Sequence, residues 1–259
     1  MNAANNSVGS THYWNPAFAG MTVVLYSCKC HSSRYPIAIG LALVILLVSP
    51  IDSIAETTYY PDFQQPFDFS LSFSNSDIDL HAGDRKHPVS LDRIGIWVFT
   101  RIEPHLQLGF ITGSSNLSLD NDPPTAGMSL SGYHAGLAMR SAFGRNPQIG
   151  LRADYLYQET KDETGTQTAT LNWYEWSAGV FGKIVLGQLV LSAGWAQQGV
   201  DARRRATGSI NDTQSLKLKS ASQGQLGIAW LVSSGGRVSL MLQRGSYKRV
   251  EFRFSRKFQ

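Results

Sequence analysis

The chain closes on GGRVSLMLQRGSYKRVEFRFSRKFQ, Gly235 to Gln259. In steps of two its last part reads Val250, Phe252, Phe254, Arg256, Phe258, with Glu251, Arg253, Ser255 and Lys257 between. That is the period of a strand with one apolar and one charged face. A soluble domain seldom ends on a bare apolar strand, because its edge invites association. The apolar face needs burial, in a soluble core or in lipid.

The same period runs back through the body. Phe67, Phe69, Leu71 and Phe73 alternate with Asp68, Ser70 and Ser72. Ile94, Ile96 and Val98 alternate with Arg93, Gly95 and Trp97, and Tyr133, Ala135, Leu137 and Met139 with Gly132, His134, Gly136 and Arg140. Further runs occur at Ile149–Tyr157, Tyr174–Val180, Leu189–Trp195, Leu216–Val232 and Val238–Leu242. This predicts about ten strands, many near the 9–11 residues that a tilted membrane strand needs. Eight or twelve stay open, because Phe73 is odd whereas Ile78 and Leu80 are even, a phase slip in the first hairpin.

Short turns at 103–105, 144–147, 184–187 and 233–236 alternate with long polar stretches at 75–88, 114–126, 159–167 and 199–213. A tight connection at 244–247 ends the series. Within the second long stretch, LDNDPP with Asp120 and Asp122 reads as a solvated turn.

Of 259 residues, 42% are hydrophobic and 16% charged, against about 25% charged in a typical soluble chain. The net charge of +4 comes without a lysine-rich helix or aromatic-basic module, so nucleic acid is not an expected partner. Cys28 and Cys30 precede an apolar run, Ile37 to Val48. That run is too short to span a bilayer as a helix. With Lys29 and Arg34 before it, Pro50 after it and Ser53-Ile54-Ala55 beyond, it reads as a secretory signal cleaved after Ala55, with Met21 the more sensible start. The mature chain then has no cysteine for a disulfide or metal site. Residues 56–66 are expected to form a short periplasmic arm.

Alternation alone leaves a lipocalin-like soluble barrel as the alternative. The polar face mixes small residues with charges at mid-strand, as a narrow lumen does. Tyr155, Tyr157, Tyr174, Trp176 and Trp195 fall toward one rim, and Trp230 and Phe258 toward the other, as a bilayer girdle requires. The apolar face is therefore read as facing lipid.

From Phe67 to Gln259 the chain resembles Gram-negative bacterial outer-membrane β-barrels. The resemblance implies an all-β fold, a closed antiparallel up-and-down transmembrane barrel in the cell outer membrane. It also implies that Val250, Phe252, Phe254 and Phe258 form the signal read by the outer-membrane assembly machinery. Gln259 after the aromatic and Arg256 within the apolar face depart from that pattern.

Parity assigns to the lumen Arg93, Arg101, His134, Arg140, Arg152, Asp154, Glu175, Lys183, Lys217, Lys219, Arg237, Glu251, Arg253 and Lys257. In a small barrel such groups pair and fill the bore, giving a structural or surface-interaction role. The alternative is a narrow, mildly anion-preferring pore for small solutes. A distant alternative is an embedded lipid hydrolase using His134 with Ser131, Ser177 or Glu175. No enzymatic activity, cofactor or metal is expected. Arg203, Arg204 and Arg205 are placed on an outer loop, where they can bond lipopolysaccharide phosphates.

Overall fold

The computed structural model describes residues 66–258 except 121, 233–234 and 246, with the backbone alone at 219 and 220. The expected signal, its cysteines and the arm at 56–65 lie outside the described residues. Ten strands follow one another: β1 (Phe67–Ala82), β2 (Arg85–Glu103), β3 (Leu106–Leu119), β4 (Leu130–Phe143) and β5 (Gln148–Thr164), then β6 (Gln167–Leu186), β7 (Leu189–Thr207), β8 (Asp212–Leu231), β9 (Gly236–Gly245) and β10 (Tyr247–Phe258). Each pairs antiparallel with its sequence neighbours, and β10 pairs with β1 from Phe67↔Phe258 to Ile78↔Tyr247, closing the barrel. Closure satisfies the backbone groups that an open sheet edge would leave bare in hydrocarbon.

The polar stretches expected as long loops are mostly strand. β1 and β2 continue in register to Ala82↔Arg85, and β5 and β6 to Thr164↔Gln167. β6 and β8 reach 20 residues each, about twice the length that a bilayer needs. The surplus lies at the end away from Phe67 and Phe258, here the far end; their own end, with the short turns, is the near end.

Along β1, β2 and β6 the two faces exchange character without a change of phase. On β1, Phe67 and Phe69 are exposed on the exterior while Asp68, Ser70, Ser72, Ser74 and Ser76 are buried inside. Farther along, Ile78 and Leu80 are buried inside while Asp77 is exposed. The apparent phase slip is this exchange. On β6, Tyr174, Trp176 and Val180 face out below the exchange, and Ala169, Leu171 and Trp173 face in above it. The near two-thirds thus carry an apolar exterior around a polar lumen. In the far third Val89, Leu91, Leu117, Leu130, Leu216 and Leu218 join Trp173 and Leu171 in an apolar core.

This arrangement corrects the assignment of Leu216 and Leu218 to the outer face. It also moves Lys217 outside, exposed and 3.4 Å from Asp201. The side chain of Lys219 lies outside the described residues. Between Gln198↔Ala221 and Val200↔Leu218 the register slips by one residue, a bulge that switches the inward parity of β8.

The ring also narrows. The β9–β10 hairpin ends at Gly245 and Tyr247, and beyond it His81 of β1 bridges Lys217 of β8. Eight strands then surround the far third, a number whose interior side chains can fill. Tyr247, 1% exposed, joins the far core where the ring narrows. A 3-10 turn at Pro123–Thr125 and Met128 tuck the β3–β4 connection into the far mouth. Asp122 is buried there rather than solvated.

Leu216→Ala is expected to cost about 2–5 kcal/mol, the range for truncating a packed leucine. Leu226→Ala, ten residues along the same strand on the exterior, is expected to cost less. Urea titration of refolded barrel measures both; an equal or smaller loss at Leu216 would count against a far core.

Candidate functional site

The lumen of the near two-thirds collects the charged residues that strand parity turns inward. At its waist Glu175, 3% exposed, accepts from Arg93 at 2.8 Å, Gln198 at 2.8 Å and Trp173 Nε1 at 3.1 Å. Arg93 Nε also donates to Gln158 at 3.0 Å. Three donors on one buried carboxylate compensate much of its lost hydration. Gln223 extends the cluster by donating to Gln198.

Nearer the short turns Arg140 pairs with Asp68 at 2.5 Å, donates to Gln107 at 2.7 Å and lies 3.9 Å from the Phe99 ring centroid. On β10 Glu251 sits between Arg249 at 2.8 Å and Arg253 at 2.5 Å. Arg253 stacks over Trp97 at 4.3 Å, and the Trp97 indole donates to Ser72 at 2.9 Å. Lys183, Arg237 and Lys257 are half-buried near the close of the lumen, with Lys183 5.4 Å from the Phe181 centroid. Arg152 donates to the Met241 sulfur at 3.8 Å, and Asp154 stands two residues along the same strand.

Arg93, His134, Arg140, Arg152, Asp154, Glu175, Lys183, Arg237, Glu251 and Arg253 lie on the inner face of their strands, with Lys257. Arg101 does not: it is exposed at the rim, where the β2–β3 register breaks between Arg101 and Glu103. Strand parity missed Arg249, although it lies two residues from Glu251 with the same inward phase.

His134 Nδ1 lies 2.8 Å from Ser115 Oγ. Ser131, one of the three partners expected from sequence, is on the outer face of β4, and Ser115 was hidden in a stretch read as loop. Gly113 lets the imidazole lie close, since a Cβ there would come within 2.8 Å of the ring. The void beside this pair is about 20 Å³, room for about one water.

A larger cavity of about 170 Å³ occupies the lumen below the waist. Arg152, Ser177, Lys183, Gln225 and Arg237 line it together with Trp97, Phe99, Phe181 and Met241. Ser192, Gly194, Gly227 and Ala229 leave the space on its β7–β8 wall. Inside this part of the barrel Arg93, Arg140, Arg152, Lys183, Arg237, Arg249, Arg253 and Lys257 face Asp68, Asp154, Glu175 and Glu251. Among the described residues bases outnumber acids two to one.

On the exterior, Tyr155, Tyr174, Trp176, Trp195, Trp230 and Phe258 are exposed and Tyr157 is half-buried. Tyr174 meets Tyr157 at 5.1 Å and Tyr155 at 6.5 Å between ring centroids. Tyr157 donates to Glu159 at 2.8 Å. Trp195 pairs with Val180, deeper in the apolar band than Trp176. Val250 and Phe258 are exposed on β10, with Phe252 and Phe254 half-buried.

The arginine triplet is strand, not loop, and its members alternate. Arg203 and Arg205 are exposed outside, but Arg204, 1% exposed, points into the far mouth. Its guanidinium bonds Asp122 and Asp212. Arg204 is therefore no lipopolysaccharide contact; it fastens the tucked β3–β4 connection. His87 lies beside this pair, its Nδ1 3.9 Å from Asp122.

No protein-family model and no curated protein sequence matches the chain. Solved structures with a similar fold include an outer membrane channel from Pseudomonas putida F1, at 10% identity and TM-score 0.46, covering 81% of this chain and 100% of that one. The outer membrane protease OmpT from Escherichia coli is similar at 9% identity and TM-score 0.45, over 78% of this chain and 100% of its own. The translocator domain of the autotransporter NalP from Neisseria meningitidis follows at 10% identity and TM-score 0.43, over 85% and 94%. One of these similar structures is a protease, against the expectation of a barrel without enzymatic activity, which is corrected to an open question of activity.

Burial holds the His87 imidazole below its ordinary value, and the charges of Arg204 and Arg85 push it the same way. The unfolded chain then takes up its proton first as pH falls. Stability present above the ordinary value of about 6.5 is lost as pH drops toward the depressed one. With the intrinsic base-catalysed rate divided out, amide protection at Val89 and Leu91 should fall between about pH 7 and pH 5, and His87→Phe should flatten that dependence. Unchanged protection across this window would exclude His87 as the cause.

Proposed function

We propose that the chain is an exported outer-membrane barrel whose far third stands outside the bilayer as a sealed cap, serving a structural or surface-interaction role. The observation that carries this is the apolar core across the bore, from Ile78 and Leu91 to Trp173 and Leu216. Above it lie the tucked β3–β4 connection and the buried Arg204–Asp122 pair. A conducting pore needs a continuous wet path, and a packed apolar layer denies it. The sealed reading is therefore preferred to the anion-preferring pore.

Export rests on the segment through Ala55, with Ile37 to Val48 as its apolar core and 56–66 as a periplasmic arm. The Gram-negative outer membrane as destination rests on barrel closure, the exterior apolar band and the terminal strand. In that setting Val250, Phe252, Phe254 and Phe258 serve the assembly machinery. Tyr155, Tyr157, Tyr174 and Trp176 meet the far interface, and Trp230 and Phe258 the near one. Arg203 and Arg205, exposed beyond Trp176 along β7, are placed to bond phosphates of lipopolysaccharide.

Planar-bilayer recording of refolded protein tests the seal. The expected result is silence at all applied potentials, and steady conductance proportional to salt would overturn it. Replacing Leu91, Leu117 and Leu216 together by alanine should open flickering conductance if the core is what blocks the bore. Removing Phe258 and Gln259 should lower the outer-membrane yield; an unchanged yield would remove the assembly role of this strand.

A further inference from the structure

Four features of the near-end cavity converge on one kind of ligand. Its volume, about 170 Å³, slightly exceeds that of an engineered protein cavity of about 150 Å³ that takes up benzene. Part of its wall is apolar and aromatic: Trp97, Phe99, Phe181 and Met241. Three groups on the remaining wall that can donate are left without partners. Arg152 Nε, Gln225 Nε2 and Ser177 Oγ are each buried without a hydrogen bond, although Gln225 and Ser177 are only 7% and 6% exposed. The one contact of the Arg152 guanidinium within bonding range is the thioether of Met241.

Unmet buried donors cost free energy of about 1–3 kcal/mol each, more when charged. A surplus of buried bases costs more unless an anion joins them. Asp154 and Glu251 attract Arg152 across the lumen, but neither lies at ion-pair or hydrogen-bond distance from its guanidinium.

We propose that this cavity binds a small organic anion, a carboxylate carried on an aromatic or compact apolar body, admitted from the near end. The carboxylate lies against Arg152, with Gln225 and Ser177 as further donors. The body lies against Trp97, Phe99 and Phe181. Entry is from the near end because the far core blocks the other, so the site rests on the sealed reading for its direction but not for its chemistry.

Benzoate is the probe, titrated against the full refolded barrel in detergent while tryptophan fluorescence is followed, with Trp97 in the cavity wall as reporter. Saturable quenching by benzoate but not by the neutral isostere benzamide is expected. Arg152→Met, which keeps the length and loses the charge, should weaken binding at least about tenfold, as loss of a charge-assisted hydrogen bond implies. Asp154→Asn should tighten it by removing a repelling charge. Heat-modifiable gel migration confirms that each variant is folded, and Ser177→Ala serves as a milder second variant should Arg152→Met misfold.

Equal response to benzoate and benzamide, no saturation by benzoate, or Arg152→Met and Ser177→Ala both binding as the parent does would each overturn the proposal. Conductance recorded on the same preparation separates the two readings. A silent barrel that ignores benzoate sinks the site alone, and a conducting barrel that binds benzoate sinks the seal alone.

Discussion

In the proposed setting one constraint governs this barrel: its outer wall meets two different solvents along the same strands. Within hydrocarbon an apolar side chain gains nothing by turning inward, since lipid is as apolar as any core. Polar side chains there can only go inside. Beyond the bilayer the exterior meets water, and the hydrophobic effect again favours burying the apolar side chains. A strand of constant pleat satisfies both only by exchanging the chemistry of its faces partway along. β1 does so between Ser76 and Ile78, β2 between Leu91 and Arg93, and β6 between Trp173 and Glu175. On paired β1 and β2 the exchanges lie within two residues of each other in register, so the change is shared between strands and not confined to one sequence segment.

That constraint also explains which parts of the molecule were readable from sequence. Closure, antiparallel order, strand number and the near-end turns follow from period-two alternation, and nothing in the far third breaks the period. The length of the hairpins did not follow, because Asp77, Asp79 and Glu163 on an outer wet face look like loop composition when the buried partner face is discounted. Reading Ile78, Leu80, Val89 and Leu91 as an inverted continuation of the strands, instead of a slip, would have recovered the far core. The bulge in β8 had no such signal. Lys217 and the arginine triplet were misplaced for that same reason, taken as loop or lumen when they stand on an inverted wall.

Within the lumen, parity gave the membership but not the partners. Alternation says that Arg93 and Glu175 both point inward; it cannot say that they meet across strands 82 residues apart in sequence. Nor could it find Ser115 beside His134, since that contact depends on the β3–β4 register and on Gly113 leaving room for the ring. At the waist Glu175 has three donors. Glu251 is held likewise by Arg249 and Arg253, and Asp68 by Arg140 and Ser70. Arg152 stands outside this rule: among the described residues no carboxylate lies at ion-pair distance from it, on the side where the wall residues are smallest.

The narrowing from ten strands to eight connects these observations. A ten-stranded ring is too wide for side chains alone to fill without voids, whereas eight strands can be packed solid. By stopping at Gly245 and Tyr247, the β9–β10 hairpin leaves the wide ring where the lumen is polar and imposes the narrow one where it is apolar. The near lumen therefore retains a cavity, and the far end is occupied by the apolar core. Had the hairpin run as far as β7 and β8 do, the far core would need two more strands' worth of apolar side chains to exclude water. Core and cavity are thus two consequences of one short hairpin: apolar side chains pack where strands are lost, and the unmet groups of Arg152, Ser177 and Gln225 remain where they are kept.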